Sequence, residues 1–296
     1  MPHATPGLKA LQLRDALLEG AARLAAAAVP SATFAAELLL MHAAGCDRTF
    51  LYAHPEHLLS AEQRAQFLAL IERCAAGVPT QYLTGKQEFW GLEFQVTPDV
   101  LIPRPETEHV VEAALERLGG ARRNKPLRVA DVGTGSGCIA VALAKELPSA
   151  TIHATDVSGA ALEIARRNAA RHGVEDRVSF VECNLLEGVA EPAQFDLIVS
   201  NPPYIGTRES ESLPREVRDH EPHDALFAGE DGMALYPPLI AQAAARLAPG
   251  GLLILELGIN QFEAVGDLLD AARGWTRVSA KQDLAGIVRV ISAVRD

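Results

Sequence analysis

Cysteine is scarce in this 296-residue chain: the four present, Cys46, Cys74, Cys138 and Cys183, lie far apart. None forms a CxxC pair, and no histidines cluster near them at zinc spacing. This pattern argues against a disulfide scaffold or a zinc site and predicts four reduced thiols in a cytoplasmic protein, with no metal. Positive charge is also short. The chain has 27 Lys and Arg against 38 Asp and Glu, a formal net charge of -11. That balance repels phosphate backbones, so it argues against DNA or RNA as the main substrate and favours a basic protein partner. Long apolar runs are missing too. No uncharged stretch reaches the ~18 residues of a membrane span; residues 21–28 come nearest, and Arg23 interrupts them. No secretory signal is visible, which again predicts the cytosol and no membrane partner. What the chain does have is apolar mass, 48% of its residues. That suffices for one large core and a smaller one.

Residues 1–85 are rich in Ala and Leu and read as a small helical bundle. Leu8, Leu11, Leu17, Leu18 and Leu24 fall near a helical period. Ser31 is expected to cap a second helix ended by Gly45, and Ser60, with Glu62 and Gln63, a third that stops near Gly77 and Pro79. Residues 86–104 change character. The alternation through Glu88-Phe89-Trp90-Gly91-Leu92-Glu93-Phe94-Gln95 predicts a β-hairpin linker. Pro103 and Pro105 then hold an extended segment. From residue 105 to 296 strands and helices alternate. Strands fit 127–132, 151–155, 178–181, 197–200 and 252–257, and helices fit 139–147, 160–171, 234–247 and 261–272. A closing pair over 276–280 and 287–293 completes an α/β domain, a mostly parallel sheet with one antiparallel strand at or near the edge.

Two loops carry the chemistry. The first, Asp131-Val132-Gly133-Thr134-Gly135-Ser136-Gly137, lies where the first strand of this domain turns into a helix. Glycines there let backbone approach a ligand closely. No Gly-Lys-Ser/Thr ending follows, so a nucleotide P-loop does not fit. A dinucleotide loop competes, because Gly135, Gly137 and Ala140 match GxGxxA. Asp131 favours S-adenosylmethionine, whose amino and sulfonium groups are cationic, over a pyrophosphate. Asp156, ending the second strand, suits ribose hydroxyls or the cap of the next helix, a task Ser158 could also perform. Asn184 and Leu185 either meet an adenine ring or are plain loop residues.

The second loop is Asn201-Pro202-Pro203-Tyr204, at the carboxyl end of a buried strand. An amide nitrogen is a poor nucleophile because its lone pair is delocalised. The Asn201 side-chain oxygen and the Pro202 carbonyl can accept its two hydrogens and aim it. The prolines hold those acceptors rigidly, and Tyr204 offers a flat wall.

The chain resembles the release-factor glutamine methyltransferases, the PrmC/HemK family. The residues that carry the likeness are Leu83-Thr84-Gly85, Glu88-Phe89-Trp90-Gly91, Leu101-Ile102-Pro103-Arg104-Pro105-Glu106-Thr107-Glu108, Asp131 to Gly137, Asn201-Pro202-Pro203-Tyr204, and the acidic loop after it, Glu221-Pro222 through Ala225-Leu226 and Gly229 to Gly232. The resemblance implies a class I methyltransferase domain over 105–296 and a substrate-docking helical domain over 1–85. It also implies methyl transfer from S-adenosylmethionine to the glutamine of a Gly-Gly-Gln loop in class 1 peptide chain release factors. Gly133, Thr134, Gly135, Ser136, Gly137, Asp156, Asn184, Leu185 and Asn201 would hold the cofactor. Asn201, Pro202, Pro203 and Tyr204 would hold the glutamine, with Phe89 and Arg104 near the site. The family often has Asp, sometimes followed by an aromatic residue, where this chain has Asn184-Leu185. Asn-Pro-Pro-Tyr also occurs in adenine-N6 nucleic-acid methyltransferases and in ribosomal-protein glutamine methyltransferases, which stand as alternatives. An inactive release-factor binding protein is a third.

Overall fold

A computed structural model describes residues 11–190 and 194–296. They form two compact units, one from the described part of Met1–Gly85 with Pro214–His220, the other from Lys86–Leu213 with Glu221–Asp296. Leu8 lies outside the described residues.

The first unit is helical: Leu13–Ala26, Ala32–Ala44, Arg48–Ala53, Ala61–Ala75, Thr80–Thr84 and Arg215–His220. Leu13, Leu24, Leu39, Leu40, Phe67 and Ile71 are sealed in its core. Gly20, otherwise costly inside a helix, makes room for an aromatic ring: a Cβ there would come within 2.6 Å of the Phe67 ring. Ser60 opens Ala61–Ala75 with a capping box. Its hydroxyl accepts from the Gln63 amide at 3.1 Å, and the Gln63 side chain accepts from the Ser60 amide at 2.9 Å. Ser31 does not cap its helix. It sits in the left-handed region, at φ 49°, whereas a capping side chain needs extended backbone to reach the first-turn amides.

In the second unit a hairpin comes first, β1 (Lys86–Phe89) and β2 (Leu92–Gln95). Its turn, Trp90-Gly91, has both φ values positive, at 55° and 67°, as a two-residue turn between twisted strands requires. Trp90 is held there by its backbone N–H to Glu108 at 2.7 Å and its indole N–H to Glu146 at 2.9 Å. The hairpin packs into the domain core through Phe89 and Phe94, both buried.

The main sheet contains β3 (Arg128–Val132), β4 (Thr151–Asp156), β5 (Val178–Glu182), β6 (Phe195–Ser200), β7 (Leu247–Glu256), β8 (Trp275–Gln282) and β9 (Val288–Arg295). Their order is β5-β4-β3-β6-β7-β9-β8. The five strands from β5 to β7 run parallel, and β9 is antiparallel to both neighbours. Strands β3 and β6 are apolar almost throughout because both faces are covered. The chain leaves β3 toward β4 and β5, then returns to place β6 on the other side of β3. This reversal opens a crevice beyond the carboxyl ends of β3 and β6, where open α/β sheets bind ligands. Among the described residues no helix is long and apolar enough to cross a membrane.

Candidate active site at the switch point

A cavity of about 450 Å³ opens at that crevice, a usual size for a small-molecule site. Of the residues singled out in the sequence, Gly133, Gly135, Asp156, Asn184, Leu185, Asn201, Pro202 and Pro203 line it. The two loops, separated by more than sixty positions in the chain, meet here because Val132 pairs with Ser200 in register. The Ser200 hydroxyl donates to the Val132 carbonyl at 2.7 Å and ties the two strand ends together.

The glycine loop divides its labour. Gly133 and Gly135 have positive φ, 71° and 54°, and a Cβ on either would meet nothing within 4 Å; they leave bare backbone facing the cavity. Thr134, Ser136 and Gly137 do not line it, contrary to expectation. The Thr134 hydroxyl turns inward and donates to Asp131 Oδ2 at 2.7 Å. Ser136 is buried, its carbonyl accepting from Asn168 Nδ2 at 2.8 Å. Gly137 serves helix packing: a Cβ there would lie 3.0 Å from Ala165 Cβ. Asp131 is sealed from solvent and holds the loop from within, accepting also from the Ala140 amide at 3.1 Å. Its burial pushes its carboxyl up to about 7.

Asp156 clamps the loop from the next strand. Its Oδ2 accepts from the Gly135 amide at 2.9 Å and its Oδ1 from the Ser158 amide at 3.0 Å. Each oxygen keeps a second lone pair for a ligand hydroxyl. Burial raises this carboxyl's pKa, and the backbone donors oppose that rise. Ser158 caps the following helix, accepting from Ala161 at 3.1 Å, which leaves Asp156 free of that task. Asn184 donates to Glu187 at 3.1 Å, so its side-chain oxygen remains an acceptor at the rim. Open space over two glycines, a carboxylate with spare acceptor capacity and, among the described residues, no basic side chain on the wall fit a cationic, phosphate-free nucleoside better than a pyrophosphate.

Asn201 donates from Nδ2 to the Thr107 hydroxyl at 3.0 Å. Among the described residues nothing donates to Asn201 Oδ1 or to the Pro202 carbonyl, and both residues face the cavity. Two rigid acceptors are therefore available to an incoming NH2 group. Tyr204 is not part of the wall. Its hydroxyl donates to Glu256 Oε1 at 3.1 Å and its carbonyl accepts from Gln261 at 3.0 Å, which draw the side chain toward β7.

Several contributors carried no signal of a role in the site, although some of them, such as Thr107, belong to segments that carry the family likeness. Val100 and Leu101 on one side, and Pro222, Ala225 and Phe227 on the other, complete the cavity; apolar residues in loops show no period. Thr107 and Glu256 lie behind Asn201, with Tyr236 donating to the Glu256 carbonyl at 3.1 Å. Arg104 lines nothing. It pairs with buried Glu221, whose other oxygen accepts from the Ile102 amide at 3.2 Å, and so pins both sides of the cavity rim. Phe89 is a core residue, packed edge-on against Phe94 with ring centres 6.1 Å apart.

Residues 15–85 match the family model described as the PrmC N-terminal domain, and residues 115–216 match the methyltransferase small domain. A release factor glutamine methyltransferase from Koribacter versatilis is 45% identical, covering 95% of this chain and 98% of the relative. One from Bradyrhizobium diazoefficiens is 46% identical over 92% of this chain and 91% of its own. Among solved structures, a methyltransferase from Pyrococcus furiosus shares the fold with a TM-score of 0.51 at 20% identity, over 69% of this chain and 89% of that one.

Proposed function

The chain belongs to the release factor glutamine methyltransferase family, and on that premise we propose that its substrate is the Gly-Gly-Gln glutamine of class 1 peptide chain release factors, modified at the side-chain amide nitrogen in the cytoplasm. It is an S-adenosylmethionine-dependent protein methyltransferase. When bound, S-adenosylmethionine supplies an electrophilic methyl group.

The protein's own residues supply placement. Backbone at Gly133 and Gly135, with the Asp156 carboxylate and the Asn184 and Leu185 loop, would hold the cofactor. Asn201 Oδ1 and the Pro202 carbonyl accept the two N–H bonds of the substrate carboxamide and turn its nitrogen lone pair into the cavity. Pro202 and Pro203 fix φ, so the acceptors need no reorganisation when the substrate arrives. No strong base is required first, because a proton can leave after the methyl has been gained. The helical unit is a docking surface for the release factor.

The observation that carries this reading is the Asn201 geometry: the amide nitrogen is tied back to Thr107, and the oxygen is left for an NH2 group. An adenine-N6 reading uses the same acceptors, but the net charge of -11 opposes a nucleic-acid substrate. Labelled S-adenosylmethionine offered with a class 1 release factor, a ribosomal protein or DNA separates the readings. Label on the release factor alone is expected. Label on DNA or on the ribosomal protein instead would overturn it, and binding of the release factor without label would indicate an inactive partner protein.

A further inference from the structure

A carboxamide has an acceptor end and a donor end of nearly the same shape, and its partners decide which end faces where. Asn201 catalyses nothing if reversed, because its Nδ2 would then meet the substrate NH2 donor to donor. Its orientation depends on Thr107, a residue 2% exposed, whose hydroxyl can either accept from Nδ2 or donate to Oδ1. It accepts, at 3.0 Å, so its own hydrogen must point elsewhere. The group placed to receive it is Glu256, 1% exposed. Glu256 ends β7, and the β6–β7 register sets Ser200 beside Leu255, the residues just before Asn201 and Glu256, at the same end of the sheet.

We propose that Glu256, acting through Thr107, is a positioning residue that sets the polarity of the Asn201 carboxamide and thereby makes amide methylation possible. The inference rests on the amide-transfer reading above. An ionised carboxylate can only accept, so the run Asn201 to Thr107 to Glu256 has one direction. Tyr204 donates to Oε1 at 3.1 Å, while Oε2 has no partner of ordinary hydrogen-bond geometry. Thr107 lies near enough to the carboxyl to lower its pKa, as Tyr204 does, and the unpartnered Oε2 is the acceptor open to its hydrogen. Burial outweighs both and pushes Glu256 up to about 7; Glu106 adds to the rise and Arg289 opposes it. Tyr236 and Cys138, the other titratable groups against it, are raised well above neutrality by burial and stay protonated there. Protonated Glu256 can donate to Thr107 and reverse the run, so turnover should fall below about pH 7.

The test is steady-state kinetics with a class 1 release factor, alongside calorimetric binding of S-adenosylmethionine. Glu256→Gln and Thr107→Val are expected to lower kcat by roughly a hundredfold, while cofactor Kd stays within about threefold. Thr107→Ser should recover most of the loss seen in Thr107→Val. Glu256→Gln in an Asn201→Ala background should cost nothing further, since both act on one contact. The wild-type acid limb in kcat should vanish in Glu256→Gln. Should Glu256→Gln fold poorly, Thr107→Val, which removes no charge, carries the test. If the wild type methylates release factor and Thr107→Val keeps kcat within about threefold, this inference is wrong. If the wild type leaves release factor unlabelled, it is the functional reading that fails.

Discussion

Replacing Asn168 with Leu should destabilise the second unit and loosen the cofactor loop together. Asn168 is fully buried on the helix Gly159–Arg171. Its Oδ1 accepts from the Gln95 amide at 2.8 Å, and its Nδ2 donates to the Gln95 carbonyl at 3.0 Å and the Ser136 carbonyl at 2.8 Å. Leu keeps the branched shape, adds some bulk, and removes all three bonds. At ~1 kcal/mol net for each, the loss is about 3 kcal/mol, and more if the stranded backbone groups stay dry. For a domain of this size that lowers Tm by about 6–12 °C. Ser136 sits between Gly135 and Gly137, so the freed carbonyl lets the loop sample other conformations, and S-adenosylmethionine affinity should drop by roughly tenfold. Both tryptophans, Trp90 and Trp275, belong to the second unit, so their fluorescence follows its melting without contribution from the helical unit. Calorimetric titration gives the affinity. A Tm change below about 2 °C, or unchanged cofactor binding in a folded variant, would refute the reasoning that Asn168 joins the hairpin to the loop.

Two further outcomes follow from the same geometry. Gly135→Ala introduces a Cβ at φ 54° where nothing lies within 4 Å; the fold should lose only about 1 kcal/mol, while cofactor affinity falls by tenfold or more because the methyl group takes up cavity space. Comparing thermal unfolding with calorimetric Kd checks this, and a parallel loss of both would contradict it. Asp131 is raised from 3.8 to about 7 in the folded protein. Between those values the native state holds a proton the unfolded chain has lost, so its contribution to stability declines as pH rises through that window. Asp131→Asn should therefore show a flatter dependence of the urea midpoint on pH between about 4 and 7, and identical slopes for variant and wild type would exclude Asp131 as the source.

Much of this was legible because two kinds of signal are local. Buried parallel strands are short apolar runs, and 127–132 and 197–200 read plainly as such. A loop of glycines after one strand and a proline-stiffened amide after another announce a ligand end of the sheet. Side-chain direction is not local. Nothing in Gly133-Thr134-Gly135-Ser136-Gly137 tells that alternate residues turn inward, since that depends on Asp131 beneath them and on Asn168 and Ala165 from a helix thirty residues on. Ser31 looked like a cap by residue type, but its left-handed backbone forbids the contact. Tyr204 looked like a wall until Glu256 claimed its hydroxyl. The Thr107 to Asn201 bond spans 94 positions, and only the tertiary fold brings its ends together. Within the segment after the amide motif, Pro214–His220 belongs with the helical unit, an association no periodicity reveals.

The central claim is that Asn201 aims the substrate amide and does little to hold the cofactor. Asn201→Ala, mixed in excess over a class 1 release factor and saturated with labelled S-adenosylmethionine, isolates the transfer step in a single turnover. Loss of methyl transfer by roughly a hundredfold or more, with cofactor Kd within about threefold of wild type, is what this account predicts. Transfer at the wild-type rate, or a loss traced wholly to weakened cofactor binding, would contradict it.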